Sequence, residues 1–532
     1  MAQPFVLGPE DAVTALLAKE LAASPEPENG GVVVFRPGLA PGGAVPDLAA
    51  AAASLDVCAA RRPDRLILLS SSAALDPSHN NPGFATESYR PEGSNPIARA
   101  WRELEALATA KLPDTEIIVL RPAPVATGDG GDFMARRLAG RSAVVPPGYD
   151  PSLQLLAPAD LATAVRCAVE RGAGRPSLYH VAPRGTVPLR TALRLAGVRR
   201  LPLGWTGVGG EQDYLRHNWT VSGARIEREL GFVPAATSAE AVLAAFGEPG
   251  RAAPEPDDFG LDLGYIAAYE RTLFRFLHDH YWRVELQGIE NVPQEGRAVL
   301  TGVHRGFMPW DGVMALVAIH RAVGRVPRFL IHPCLVKPPF LANYMTKLGG
   351  IVANQENADW VLEREGLLGM FPEGIHGAFT MYKNAYKLGK FGRDEYVRMA
   401  LRNRAPLVPF VTVGSAEIYP IWGRLDWKWV KRATEWLFLP VGPNFPLPGL
   451  PLPSKWHTRF LEPIPVQETY GPEAADDPAV VRAISREVRA CMQAAIDEML
   501  GRRKSIFWGS IFARDDGGKA RKPLRGAKLD PF

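Results

Sequence analysis

The sequence predicts an α/β protein of two domains, and three observations carry that reading. Its 532 residues exceed what one ordinary hydrophobic core organises. Short apolar, β-branched runs alternate with Ala-, Leu- and Arg-rich helical stretches in both halves, the pattern of parallel sheets covered by helices. Between the halves, "GEPGRAAPEPDDFG" (247–260) concentrates Pro, Gly and acid, the composition of an interdomain connection. The expected boundaries are a first domain over 1–245, a linker over 246–262, a second domain over 263–500 and a basic aromatic tail over 501–532.

Composition narrows the function before any motif does. With 46% hydrophobic and 22% charged residues the chain has the make-up of a globular protein, and a net charge of +4 excludes a dedicated nucleic-acid binder. The charge is uneven, because the last 32 residues hold nine Lys/Arg against three Asp. Cys58, Cys167, Cys334 and Cys491 are far apart and form no CxxC or Cys/His cluster, which argues against a disulfide framework or structural zinc and fits a reducing cytoplasm. The start "MAQPFVLGPEDAV" lacks the basic and apolar regions of a signal peptide, and no run reaches the ~18 apolar residues of a spanning helix.

In the first domain "GGVVVFRPG", "RLILLSSSA" and "TEIIVLRPA" read as strands; "DLAAAAASLDVCAARR", "ARAWRELEALATAKL" and "ADLATAVRCAVERG" read as helices. Their order over about residues 30–235 is similar to the extended short-chain dehydrogenases of the nucleoside-sugar epimerase type. That resemblance implies a Rossmann-like, doubly wound parallel sheet. In that family a Ser at a strand end and a Tyr-x3-Lys on the next helix couple proton to hydride transfer with NAD(P). Here Ser70 is in place, but the Tyr and Lys positions fall on Asn95 and Arg99.

The dinucleotide end is deficient as well. A glycine-rich turn lets backbone amides reach a pyrophosphate, whereas "FVLGPEDAVTALL" offers Gly8 alone, followed by Pro9 and two acids. The segment that would hold the family's second strand and its ribose-binding acid is missing. Asn has no proton that titrates near neutral pH, so Asn95 cannot replace a catalytic Tyr. The expectation is a domain that keeps the fold without the redox chemistry. Gly8, Ser70, Asn95 and Arg99 are then vestigial positions and no NAD(P) is held; scaffolding, nucleotide sensing or carrier-protein docking are the roles left to it.

The second domain opens on "LGYIAAYERTLFRFLHDHYW", amphipathic at helical spacing. "GRAVLTGVH" reads as a strand ending at His304, and "WDGVMALVAIHRAV" as a helix starting near Asp311. The quoted turn between them, "VHRGFMPWDG", thus sets a histidine and an aspartate seven positions apart around Gly306 and Pro309. His304 as general base needs a carboxylate to fix its tautomer, and Asp311 can serve if the turn is tight. "MFPEGIHG" ends a second strand at Glu373 and Gly374; "YKNAYKLGKFGR" brings Lys383, Lys387, Lys390 and Arg393; "APLVPFVTVG" is a further apolar strand.

Taken in order, "VELQGIENVPQEGRAVLTGVHRG", "KLGGIVANQEN", "FPEG" and "RAPLVPFVTVG" resemble the glycerolipid acyltransferase superfamily over roughly residues 265–470. Its hallmarks are His-x4-Asp followed by Phe-Pro-Glu-Gly. The first motif here is His-x6-Asp, which resembles the branch likened to monoacylglycerol and diacylglycerol acyltransferases. Gln355 stands where the second motif usually carries a phosphate-binding arginine, and His376 lies near another position often held by Arg.

The resemblance implies direct acyl transfer from acyl-CoA or acyl carrier protein to a hydroxyl of a lysophospholipid or glyceride, with no metal or redox cofactor. His304 and Asp311 would be catalytic. Arg305, Gly306, Gln355, Glu373, Gly374, His376, Lys383, Lys387 and Arg393 would bind substrate. A glycerolipid acceptor further implies a cytoplasmic protein peripheral to the inner face of the membrane. Residues 425–456 and the tail mix Trp/Phe with Lys/Arg and are the candidate contacts. The alternative is an NAD(P)-dependent epimerase or oxidoreductase that the C-terminal half tethers to lipid; Asn95, Arg99 and the missing glycine turn speak against it.

Overall fold

The computed structural model describes residues 3–24, 30–90, 93–129, 131–172, 174, 177–201, 209–247, 257–392, 394–445 and 450–512. Most of the linker (248–256), Arg393 and the tail beyond 512 lie outside the described residues. The chain divides into two compact units, Met1–Asp262 with Leu335–Lys347, and Leu263–Cys334 with Leu348–Phe532.

In the first unit, strands Phe5–Leu7, Val32–Phe35, Arg65–Leu69, Glu116–Pro122 and Ser177–Val181 lie side by side in chain order, all parallel. Alternate residues of these buried strands feed two cores. Val33, Phe35, Leu66, Leu68 and Val119 pack on helices Leu48–Ala60 and Pro96–Lys111. Val34, Ile67, Leu69, Ile118 and Leu120 pack on helices Ala12–Glu20 and Pro158–Glu170. The period of two along each strand therefore places helices on both faces, as the Rossmann-like reading requires. Every strand is added on the same side of its predecessor, so the strand order of this sheet never reverses.

The second unit is built on a seven-stranded sheet. Across it run Glu285–Gln287, His457–Phe460, Leu407–Val413, Ala298–Gly302, Leu367–Met370, Arg328–Ile331 and Ile351–Val352. All neighbours are parallel except Leu407–Val413 against His457–Phe460. The five residues Ala298–Gly302 and the seven residues Leu407–Val413 are buried throughout, which explains their unbroken apolar sequence. From Ala298–Gly302 the chain leaves through helix Trp310–Val323 towards Arg328–Ile331; from Leu367–Met370 it later crosses to Leu407–Val413 on the opposite side. The order reverses at the central strand, which opens a crevice at the carboxyl ends.

One helix expected from the sequence is broken. The stretch from Leu263 forms helix Leu263–Glu270, a short turn at Leu273–Arg275 and a wider π-type coil over Phe276–Tyr281. At the break, Thr272 leaves helical geometry (φ −124°, ψ −100°) and its hydroxyl donates back to the Ala268 carbonyl, a bond that bends helices. Among the described residues no helix is long and apolar enough to cross a membrane.

Candidate active site

The crevice gathers three turns, each leaving the carboxyl end of a central strand. The first begins with His304, two residues past Ala298–Gly302, and ends at Asp311 in the first turn of helix Trp310–Val323. Its length is accommodated by two consecutive left-handed residues, Gly306 (φ +81°) and Phe307 (φ +64°). Close bonds from Met308 N–H to the Gly306 carbonyl (2.7 Å) and from Trp310 N–H to the Met308 carbonyl (2.8 Å) coil the loop tightly. Thus, with two residues more than a His-x4-Asp spacing, Asp311 still returns to His304.

Gly306 is required twice over. Its φ is one that side chains avoid, and a Cβ there would lie 2.4 Å from the Ser415 carbonyl oxygen. Phe307 has no such freedom, and a left-handed Phe costs roughly 1–2 kcal/mol. Packing holds it there, because its ring is set edge-on against Phe379, Trp436 and Phe445 at 5.0–5.3 Å.

His304 Nδ1 lies 3.0 Å from Asp311 Oδ2, and the Asp311 side chain is fully buried while the imidazole keeps a little exposure. A carboxylate can only accept, so Nδ1 carries the proton and Nε2 is left with its lone pair. The same Oδ2 accepts the backbone N–H of Arg305 at 2.8 Å, while Oδ1 is buried with no hydrogen-bond partner. His304 is packed at 5.2 Å from the Phe371 ring, which stacks on Phe329. The family resemblance singled out this pair, and the turn brings its two side chains within hydrogen-bond distance.

Arg305 and Glu373 are a correction. Both read as substrate contacts in the sequence, yet Arg305 is 2% and Glu373 7% exposed, and they bind each other. The guanidinium reaches the Glu373 carboxylate at 2.6 and 3.2 Å and donates to the carbonyls of His304, Ala385 and Lys387. Glu373 is completed by the Gly389 N–H at 2.6 Å. One buried ion pair thus ties the His304 turn, the Phe-Pro-Glu-Gly turn and the lysine loop together, and each charge is engaged by the other. Gly374 adopts φ +55°, ψ −144°, a glycine conformation, and turns the chain into Ile375–Ala378 with exposed His376 upon it.

Gln355 is a second correction. It opens helix Gln355–Glu363 beyond the edge strand Ile351–Val352, three strand positions from the His304 strand, roughly 14 Å at about 4.8 Å per strand. Its amide donates to Asp359 at 2.7 Å, so the structure does not bring it to the dyad. Lys383, Lys387 and Lys390 are exposed on the loop that Arg305 supports; Arg393 lies outside the described residues. That loop has an anchor the sequence reading missed. Half-buried Tyr386 donates to Glu417 (2.6 Å), accepts the Gly414 N–H (2.9 Å), and Glu417 pairs with Arg503 at 2.5 Å. Burial, with the Glu417 charge beside it, holds the Tyr386 hydroxyl well above the usual tyrosine range.

The positions of the first unit that correspond to a dehydrogenase site have other tasks. Asp11 caps helix Ala12–Glu20, accepting the Thr14 N–H and pairing with Arg36 at 2.5 Å. The helix end that would meet a pyrophosphate is therefore filled by a carboxylate of the chain itself. Beside it, a Cβ on Gly8 would sit 3.1 Å from Thr14 Oγ1 and 3.2 Å from the Arg36 carbonyl oxygen. Asn95 caps helix Pro96–Lys111 and donates to Gly210 and Asp213; Ser70 donates to Glu105 at 2.6 Å; Arg99 is exposed. At these strand ends, among Arg36, Ser70, Ser71 and Asp132, a cavity of about 80 Å³ remains. Small-molecule sites typically measure about 300–1,000 Å³. These residues do not fit a dinucleotide.

The sequence comparisons with known proteins bear on the second unit. A family model described as Acyltransferase matches residues 283–413, the span holding both His304 and Glu373. An uncharacterised protein of Mycobacterium tuberculosis is 36% identical over 259 residues, covering 48% of this chain and 72% of its own. One from Mycobacterium leprae is 36% identical over the same length, covering 70% of its own chain. Phytyl ester synthase 1, chloroplastic, of Arabidopsis thaliana is 26% identical over 256 residues, 43% of this chain and 36% of that one. The C-terminal half therefore carries an acyltransferase domain, and the chain belongs with these mycobacterial proteins. Among solved structures, MoeE5 in complex with UDP-glucuronic acid and NAD is 16% identical, with a TM-score of 0.36 over 46% of this chain and 97% of its own. RMD from Pseudomonas aeruginosa, complexed with NADPH, is 18% identical at a TM-score of 0.34, over 46% of this chain and 99% of its own. The Rossmann-like assignment of the first unit rests on its own sheet and covering helices.

Proposed function

We propose that the protein is an O-acyltransferase that moves a fatty acyl group from acyl-CoA or acyl carrier protein to a hydroxyl of a glyceride, lysophospholipid or similar lipid alcohol. The observation that carries the reading is the 3.0 Å contact of His304 Nδ1 with buried Asp311, which leaves Nε2 as the proton acceptor. The acceptor O–H gives its proton to Nε2 as its oxygen attacks the thioester carbonyl carbon. The C–S bond then breaks, and the leaving thiolate takes that proton from the imidazolium as thiol. Asp311 stabilises the imidazolium throughout.

Exposed Lys383, Lys387 and Lys390, on the loop pinned through Arg305, hold the phosphates of the donor. Gln355 lies away from the dyad and presents no cation, which supports a neutral acceptor over a phosphate-bearing one. The relative named for phytyl ester synthesis widens the acceptor class to long-chain alcohols.

The test is an incubation of labelled acyl-CoA or acyl carrier protein with monoacylglycerol, diacylglycerol, lysophosphatidate, glycerol-3-phosphate and a long-chain alcohol, beside His304→Ala. Ester formed on one acceptor class and lost in the variant supports the reading. No ester from any pairing, or ester formed equally by the variant, overturns it.

A further inference from the structure

The exposed apolar residues of the second unit concentrate where nothing in the catalytic geometry needs them. Strands Gly423–Leu425 and Leu439–Val441 pair antiparallel, and helix Lys428–Thr434 rides on the connection between them. Trp422 is 66%, Trp427 47% and Trp429 66% exposed, with Leu425 and Val441 also exposed on the hairpin. Trp427 and Trp429 stack on each other at 6.0 Å instead of packing inward. Three indoles within eight residues form a patch that a purely solvent-facing hairpin would not retain.

Cations are interleaved with these rings. Arg424, Lys428, Lys431 and Arg432 stand against Asp426 and Glu435, a local excess of two positive charges. Asp426 is engaged by both Arg424 (3.5 Å) and Lys431 (3.1 Å). Lys428 and Arg432, four apart on the helix, are exposed and have no ion pair among the described residues. The cores of protein–protein interfaces are depleted of lysine. Indoles alternating with cations suit a bilayer surface, with rings at the headgroup boundary and ammonium and guanidinium groups on lipid phosphates.

The patch is continuous with the active-site turn. Trp436 follows the helix directly and Phe438 precedes strand Leu439–Val441. Trp436 meets Phe307 at 5.0 Å, Phe445 meets Phe307 at 5.0 Å, and Phe438 meets Phe379 at 5.1 Å, itself 5.3 Å from Phe307. Phe307 is the left-handed residue three places after His304. An aromatic wall therefore leads from the exposed hairpin to the turn that carries His304.

We infer that residues 422–441 dock the protein on an anionic bilayer and that the wall from Trp436 to Phe307 receives a membrane-borne acyl acceptor. The docking half stands on the surface alone; the delivery half rests on the proposed acyl transfer.

The full chain is sedimented with vesicles of equimolar phosphatidylglycerol and phosphatidylcholine, and with phosphatidylcholine alone. The parent should partition to the anionic vesicles, less so at high salt. Trp427→Ala/Trp429→Ala should reduce that partitioning at least tenfold with an unchanged melting temperature, and Lys428→Gln/Arg432→Gln should remove most of the preference for anionic lipid. His304→Ala should bind as the parent does, so a failed transfer assay leaves docking standing. Failure of the parent to sediment, or loss through Phe507→Ala/Trp508→Ala with the hairpin variants binding normally, overturns the docking site. Delivery is read as turnover of a vesicle-borne acceptor against the same acceptor in detergent. The tryptophan variant should lower the first several-fold more than the second, and an equal fall overturns it.

Discussion

The two units treat the carboxyl ends of their parallel strands in opposite ways. In the C-terminal unit the connections leaving Ala298–Gly302 and Leu407–Val413 run to opposite sides, and the gap between them receives His304, Gly306 and Ser415. In the N-terminal unit each strand from Phe5–Leu7 onward is laid on the same side as the last, so the strand order does not reverse. The polar groups Asp11 and Asn95 found there bond within the chain, Asp11 on its own helix end and Asn95 on the Gly210 carbonyl. The reversal of strand order is what leaves backbone ends apart and side chains free to meet a ligand.

The sharpest test of that contrast is His304→Ala, which should lower kcat for acyl transfer by about a thousandfold, with Asp311→Asn costing about a hundredfold through loss of the imidazole's tautomer. Initial rates at saturating donor measure both. Next comes the pin beneath the site. Arg305→Met alone strands the Glu373 carboxylate in a buried site and should destabilise the unit by about 3–5 kcal/mol in urea unfolding; adding Glu373→Leu should recover most of the loss.

The N-terminal unit should respond to acid instead. Burial, with Arg121 beside it, depresses His180 to about 3, against an ordinary value of 6.5. The unfolded chain therefore binds the extra proton, so the stability is fully present above pH 6.5 and falls as the pH drops towards 3. About 3 kcal/mol should be gone by pH 4, and His180→Gln should flatten that slope in unfolding curves. Least of all, Asn95→Ala/Arg99→Ala should change transfer rates less than twofold while costing about 1 kcal/mol of stability through the lost cap. A large fall in transfer, or a nicotinamide dinucleotide bound by the parent in calorimetry, would break the comparison.

Much of this was legible in the sequence. His304, Gly306, Pro309 and Asp311 announce a turn that can bring a histidine and a carboxylate together, and the alternating apolar runs of the first domain announce a parallel sheet with helices on both faces. Arg305 and Glu373 were misread because a charged residue beside a motif looks available. Their pairing spans 68 positions, and no local pattern reports it. Gln355 was misplaced because sequence order does not state that Leu367–Met370 inserts between Ala298–Gly302 and Arg328–Ile331. The Tyr386–Glu417–Arg503 anchor is likewise non-local, and only the aromatic within a cationic run hinted at it.

A sheet with strands missing on one side has an open margin there. Among the described residues Phe5–Leu7, which a doubly wound sheet would enclose, pairs only with Val32–Phe35, so its other row of amides and carbonyls has no strand beside it. Such a row is a template for another chain. Here it is three residues long, with Pro4 immediately before it and Pro9 soon after. The prolines supply no amide protons and keep the template too short to propagate. Lengthening that strand, without touching the core, is the change that would drive this unit to assemble with its own copies.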